Sequence, residues 1–140
     1  MNRSDFDDYV RRFNAEDRSA FEIYLAPDVR VQNGRLRFRG VQAMIDHYAK
    51  IWGKFRETLH VERFVSDGET LAVELRTHFE ALADDRESIF GSVRAGESFE
   101  YHGIVMYRFE GNRFADIKVS YLDFVRTSLD GSKTSLGIVH

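Results

Sequence analysis

Apolar residues recur at helical spacing in three stretches of this chain and alternate with polar ones through most of the rest. Phe6, Tyr9, Val10 and Phe13 form the first stripe, with Ser4 placed as N-cap and Asp7 in the first turn. Asn14-Ala15-Glu16 interrupts the stripe. Asp17 is placed to cap a second, short helix that buries Ala20, Phe21, Tyr24 and Leu25, and Pro27 ends it because its ring disfavours helical geometry in the preceding residue. Val29 and Val31 then alternate with Arg30 and Gln32, and Asn33-Gly34 predicts a hairpin turn to a return strand at about Leu36–Phe38. Gly40 opens the longest helix, whose stripe runs through Val41, Met44, Ile45, Tyr48, Ile51 or Trp52, and Phe55.

From there alternation dominates. Strands are predicted over Leu59–Val65 and Thr70–Ala81, turning at Ser66–Glu69, and over Phe99–Phe109 and Phe114–Val125, turning at Glu110-Gly111-Asn112. Ala83–Gly96 is polar and irregular and reads as a loop. The domain is expected to span 1–126, with 127–140 as a polar tail.

Alternation also assigns faces. Leu71, Val73, Leu75, Thr77 and Phe79 share one side, as do Tyr101, Val105 and Tyr107, and Ile117, Val119, Tyr121 and Asp123. A sheet with one apolar face needs helices to cover it, and the three stripes supply them. The polar groups expected to face the interior are Asn33, Thr77, Tyr101, Tyr107, Tyr121 and Asp123, with Tyr9, Tyr48 and Trp52 added by the helices. A single β-bulge would reverse the faces beyond it.

Charge narrows the classes of function. The 20 basic and 23 acidic residues are interspersed, for a net charge of −3, which argues against a nucleic-acid partner. The basic run Arg35-Leu36-Arg37-Phe38-Arg39 alternates with apolar residues and reads as an edge strand with a solvated face. No apolar run approaches the roughly 20 residues of a membrane span, and the chain opens on charged sequence without a secretory signal, so a cytoplasmic protein is expected. Without cysteine there are no disulfides, thiolate metal sites or cysteine nucleophiles. The abundance of rings, 12 Phe, 6 Tyr and one Trp, suits both core filling and a pocket for a flat organic ligand.

The segments Leu25–Val31, Phe38–Met44 and Tyr101–Asn112 resemble the SnoaL-like branch of the nuclear transport factor two-like superfamily, and the resemblance runs over about residues 4–125. It implies an α+β fold in which a cone-shaped, strongly bent mixed β-sheet, the nuclear transport factor two-like α+β barrel, is covered by three helices. It also implies one apolar pocket and a homodimer. The superfamily holds isomerases, dehydratases, cyclases, epoxide hydrolases and proteins that only bind or dimerise, so the fold alone does not choose an activity.

Its enzymes map onto this chain incompletely. Where ketosteroid isomerases carry a general-base aspartate the chain has Asn33, and their second acid falls near Val105; only Tyr9 matches, as an oxyanion-hole tyrosine. The paired histidines of scytalone dehydratase fall near His60 and His78, but its tyrosine and carboxylate would fall on Phe13, Asn14 and Asn33. SnoaL-type cyclases use an acid on the last strand, for which Asp123 is the nearest match.

Two functions are therefore expected. One is a cofactor-independent lyase, isomerase or cyclase acting on a hydrophobic carbonyl compound. Asp123 would move the proton, Tyr101 or Tyr9 would hold the oxyanion, and Asn33, Tyr48, Trp52, Thr77, Tyr107 and Tyr121 would line the substrate. The other is a non-catalytic ligand-binding or dimerising domain. His60, His78 and His102 each share a strand face with a glutamate two residues away, Glu62, Glu80 and Glu100. Imidazole with carboxylate suits zinc or iron. These pairs nonetheless fall on the polar face with Ile104 and Met106, where solvated or interfacial charge is the preferred reading, so no metal or cofactor is assigned. His47 flanks the helical stripe as a minor candidate.

Overall fold

Asn2, not Ser4, begins the first helix, α1 (Arg3–Asn14). Its Oδ1 accepts from the Asp5 N–H at 2.9 Å while the Asp5 carboxylate accepts from the Asn2 N–H at 3.1 Å, a reciprocal cap two residues earlier than the Ser-based reading. Phe6, Tyr9 and Phe13 form the buried stripe. At the other end, Asn14 accepts from the Leu59 N–H at 2.8 Å and donates to the Leu59 carbonyl at 3.1 Å, so its amide docks on the sheet as a strand residue would. In α2 (Ser19–Tyr24), Asp17 accepts from the Ser19 N–H at 2.9 Å, and the Tyr24 hydroxyl donates to Asp8 at 2.7 Å, tying α2 to α1. The computed structural model describes residues 1–137.

Pro27 lies inside β1 (Leu25–Asn33) and does not terminate α2. It sits where the ladder between Leu25 and Arg30 is interrupted, a place that tolerates a residue without an N–H. The tight turn after β1 is Gly34-Arg35, with Gly34 at φ 60°, and Asn33 stays in the strand opposite Leu36 of β2 (Leu36–Arg39). Helix α3 (Val41–Ala49) is shorter than its stripe predicts. The chain turns through Gly53 at φ 88°, and Phe55 opens β3 (Phe55–Ser66) instead of closing the helix.

β3 pairs with β4 (Thr70–Ala81). The stretch expected as a loop holds a small hairpin, β5 (Asp85–Ser88) and β6 (Gly91–Val93). Its turn residue Phe90 stacks on Phe99 at 4.5 Å and meets Phe55 and Phe79 edge-on at 5.2 and 5.0 Å, which is why this polar segment stays ordered against the sheet. β7 (Ser98–Glu110) and β8 (Arg113–Thr127) complete the long strands. Part of the expected tail is also structured: β9 (Lys133–Ser135) pairs with Val125–Thr127 of β8. The tail's last residues, 138–140, lie outside the described residues.

The sheet order is β2-β1-β8-β7-β4-β3, with β1 parallel to β8 and the other neighbours antiparallel. The expected α+β fold of three helices over a strongly curved mixed sheet is what forms, with β2 and β3 left as edges, so the sheet does not close into a barrel. Bulges interrupt the antiparallel pairing of the long strands at Glu62 in β3 and at Ala115 and Leu122 in β8. Each adds twist and bend, as a sheet that curls around a helix layer requires. Among the described residues no helix is long and apolar enough to cross a membrane.

Two apolar clusters fill the interior. The larger joins α1 and α2 to the sheet through Phe6, Phe13, Phe21, Leu25, Leu71 and Phe114, each about fully buried. The smaller, around Phe55, Phe79, Val93 and Phe99, lies under the β5–β6 hairpin.

Candidate functional site

Between the helices and the concave face of the sheet is a cavity of about 120 Å³. Val31, Leu75, Thr77, Val105, Ile117 and Val119 supply its sheet wall, in the parity that alternation predicts. Tyr9 and Phe13 of α1, with Met44, His47 and Tyr48 of α3, cover it. The exposed residues Asn33 and Leu36 mark its opening beside Phe38. Of the residues expected to face the interior, Tyr9, Asn33, Tyr48, Thr77, Tyr101 and Tyr107 are brought together here.

Three are not. Trp52 stacks on Phe21 at 5.4 Å behind the cavity wall, with its indole N–H buried and unpartnered among the described residues. Tyr121 is 39% exposed and touches the site only through Tyr101, 5.4 Å away ring to ring. Asp123 is exposed. The bulge at Leu122 pairs Tyr121 with Gly103 and Asp123 with His102, which turns Asp123 to the outer face and Phe124 inward opposite Tyr101. The carboxylate accepts from the N–H of its own neighbour Phe124 at 2.9 Å and cannot reach the cavity.

The carboxyl group that does enter is Glu57 on β3, 5% exposed. Its Oε2 is buried without a hydrogen-bond partner among the described residues. Burial, reinforced by the charge of Glu16, pushes its pKa up to about 8, so the group is mostly protonated at neutral pH. Phe55, Glu57, Leu59 and Val61 alternate inward, a parity visible in the chain. The signal was hidden because Phe55 also fits the helical stripe, so a strand begun at Leu59 excludes Glu57.

Burial sets the other titratable groups as well. The hydroxyls of Tyr9 and Tyr48 are held protonated first by desolvation and then by the Glu57 charge, and Tyr107 by desolvation and then Tyr9. Desolvation pushes Tyr101 up to about 12, and its hydroxyl is buried without a partner among the described residues. His47 is half-buried between Phe38 and Tyr48, at 5.4 and 5.0 Å, and desolvation followed by Lys50 lowers its pKa. The site thus holds a neutral acid, a neutral imidazole and several phenols, and among the described residues no lysine or arginine lines it.

The opposite face of the sheet is charged, as expected. Arg76 donates to Glu62 at 2.5 Å and to Glu100 at 3.3 Å, and His102 Nε2 lies 2.9 Å from Glu74. Glu62, Glu74 and His102 bring ligand atoms within 4.8 Å of one another, a set that could hold a metal ion, but Arg76 already places a cation against Glu62. His60 is exposed and His78 stands 3.9 Å from Glu100.

The family model for the SnoaL-like domain matches residues 6–117. No curated protein is significantly similar in sequence. Among solved structures, an LEH-like epoxide hydrolase of M. tuberculosis is similar with a TM-score of 0.68 at 13% identity, over 84% of this chain and 80% of that one. A Pseudomonas putida KT2440 protein provisionally named a polyketide cyclase is similar with a TM-score of 0.67 at 23% identity, over 91% of both chains. A computationally designed 17-OHP binder is similar with a TM-score of 0.67 at 17% identity, over 94% of this chain and 95% of that one. At such identities the likeness shows the common fold.

Proposed function

Because the chain belongs to the SnoaL-like domain family, we propose that it is a small-molecule pocket protein that isomerises, cyclises or eliminates from a hydrophobic carbonyl compound by proton transfer. The observation that supports this reading is Glu57, whose Oε2 is buried without a hydrogen-bond partner among the described residues in a tyrosine-lined cavity. Protonated Glu57 gives its proton to the substrate carbonyl oxygen. Neutral His47 takes the proton from the adjacent carbon, the C–H electron pair becomes the enol C=C bond, and the C=O π pair moves to oxygen. Tyr9, Tyr101 or Tyr107 donates to that oxygen as charge develops. Reversal at a second carbon gives isomerisation, loss of a neighbouring leaving group gives elimination, and attack of the enol on a second carbonyl gives cyclisation. An environment that raises the pKa of the acid and lowers that of the base keeps both neutral near pH 7, so that one can give and the other take a proton.

Enolisation can be read without the natural substrate, as deuterium exchange at the α-carbon of cyclohexanone in D₂O followed by NMR. Glu57→Gln is expected to slow exchange by about 100-fold or more, the usual worth of a general acid. Asp123→Asn should leave it unchanged. Full exchange by the Gln variant, or loss in the Asn variant, would reverse the assignment.

The second reading is binding without catalysis, favoured by the same fold in a designed 17-OHP binder. Exchange no faster than buffer would select it. Under either reading the outer face, where Ile104 and Met106 stand exposed among charged residues, is proposed to seat a second copy of the chain.

A further inference from the structure

The cavity's size, wall and polar groups restrict what can fill it, given the proposed role of Glu57. A volume of about 120 Å³ is close to that of the engineered cavity of roughly 150 Å³ that holds one benzene. The wall resists widening. Tyr48 meets Phe13 edge-on at 5.0 Å and stacks on Phe21 at 5.3 Å, and Tyr107 lies on Phe114 at 4.6 Å. Close-packed rings of this kind shift only at a cost to their neighbours.

Two polar atoms buried without partners among the described residues, Glu57 Oε2 and the Tyr101 hydroxyl, belong to residues lining this space. Buried polar groups are paired in nearly all native structures, and an orphan in a cavity is accounted for when a bound molecule completes it. Among the described residues lining the cavity there is neither lysine nor arginine to neutralise an anion. The titratable groups that line the cavity with Glu57 are Tyr9 from α1, His47 and Tyr48 from α3, and Tyr101 and Tyr107 from β7, with Glu16 contributing negative charge from just past the end of α1.

We propose that the site selects a neutral, single-ring carbonyl compound, held through its oxygen by the Glu57 carboxyl group and the Tyr101 hydroxyl, and that it rejects carboxylates and multi-ring ketones. The oxygen accepts from the protonated acid, so binding weakens once Glu57 loses its proton. Removing that proton leaves a carboxylate facing a carbonyl lone pair, which is repulsive. A carboxylate ligand would accept from the same two donors, but with no lysine or arginine among the described residues lining the cavity it carries an uncompensated desolvation cost.

The test is calorimetric titration of the full chain with cyclohexanone, cyclohexanecarboxylate and the four-ring ketone androstenedione. Cyclohexanone is expected to bind at about pH 7, at least about tenfold more tightly than either other probe. Its affinity should fall at least about tenfold by about pH 9.5, as the carboxyl group titrates. His47 is already neutral over that range. Glu57→Gln, whose amide still donates, should bind cyclohexanone with an affinity independent of pH, and circular dichroism at both pH values checks that each protein stays folded. Equal or tighter binding of the carboxylate or of androstenedione, a pH-independent affinity in the unmodified chain, or no binding of cyclohexanone would overturn the inference. The readouts separate it from the proposed reaction: exchange that depends on Glu57 together with androstenedione preference sinks only the ligand class, and selective cyclohexanone binding without exchange sinks only the chemistry.

Discussion

Glu57 and Asp123 show how much a single side chain's function depends on its surroundings. Both are carboxylates on strands, but one is enclosed by phenols and aliphatic groups and the other stands in solvent. In Glu57 it is chiefly burial that keeps the proton on the carboxyl group at neutral pH. It also makes Glu57 a determinant of stability. Its pKa, ordinarily near 4.5, rises to about 8, foremost through burial. Between those values the folded protein retains a proton that the unfolded chain has released, so rising pH favours unfolding. The stabilisation is whole below about pH 4.5 and is lost as pH climbs through about 8. Urea unfolding at pH values across this window is expected to show the unmodified chain losing on the order of a few kcal/mol relative to Glu57→Gln. Asp8, Asp17, Glu97 and Asp116, whose pKa values are lowered by their hydrogen bonds, titrate below this window and do not obscure the comparison. Parallel curves for the two proteins would show that Glu57 is ionised in the fold.

At the scale of the element, the decisive feature is the bulge where β8 passes Gly103. A Cβ at Gly103 would stand 2.7 Å from the Ser120 carbonyl oxygen and 2.8 Å from Cε1 of Tyr101. The absent side chain therefore lets the bulged strand approach and leaves the Tyr101 ring its place in the cavity wall. Gly103→Ala is expected to destabilise the protein by about 1–3 kcal/mol, the usual cost of overpacking, and to displace Tyr101. Denaturant midpoints and the shift of the Tyr101 ring resonances would measure both effects, and an unchanged midpoint would mean that the strands part without cost. Alternation along β4 and β7 was legible because each is an unbroken run with one apolar face. The inward turn of Phe124 was not, since an extra residue in β8 leaves no mark in composition or spacing. The β5–β6 hairpin was equally hidden: Phe90 is one apolar ring in a polar stretch, and its packing becomes visible only beside Phe55, Phe79 and Phe99.

For the molecule as a whole, the outer sheet face is the surface left uncovered by helices. Ile104 is 40%, Met106 45% and Leu122 62% exposed there, beside the ion pairs of Arg76 and the contact between His102 and Glu74. Mixed apolar and charged surface of this kind is what a partner of the same charge pattern can cover, since each acidic group can face a basic one across a two-fold axis. Static light scattering at micromolar concentration is expected to give twice the chain mass, and Ile104→Glu to return it to one. A single chain mass for the unmodified protein would remove the dimer.

Pattern alone determined the three helical stripes, the two long hairpins, the inward parity of β4 and β7, and the presence of five of the tyrosines and threonines that wall the cavity, Tyr9, Tyr48, Thr77, Tyr101 and Tyr107. These are properties of periodicity, which is local and written in neighbouring residues. The tertiary structure decided which carboxyl group enters the interior. That choice depends on where α3 stops and where β8 gains a residue, and both are settled by contacts between segments far apart in the chain. Desolvation, the chief cause of the raised Glu57 pKa, exists only once those segments have closed around it.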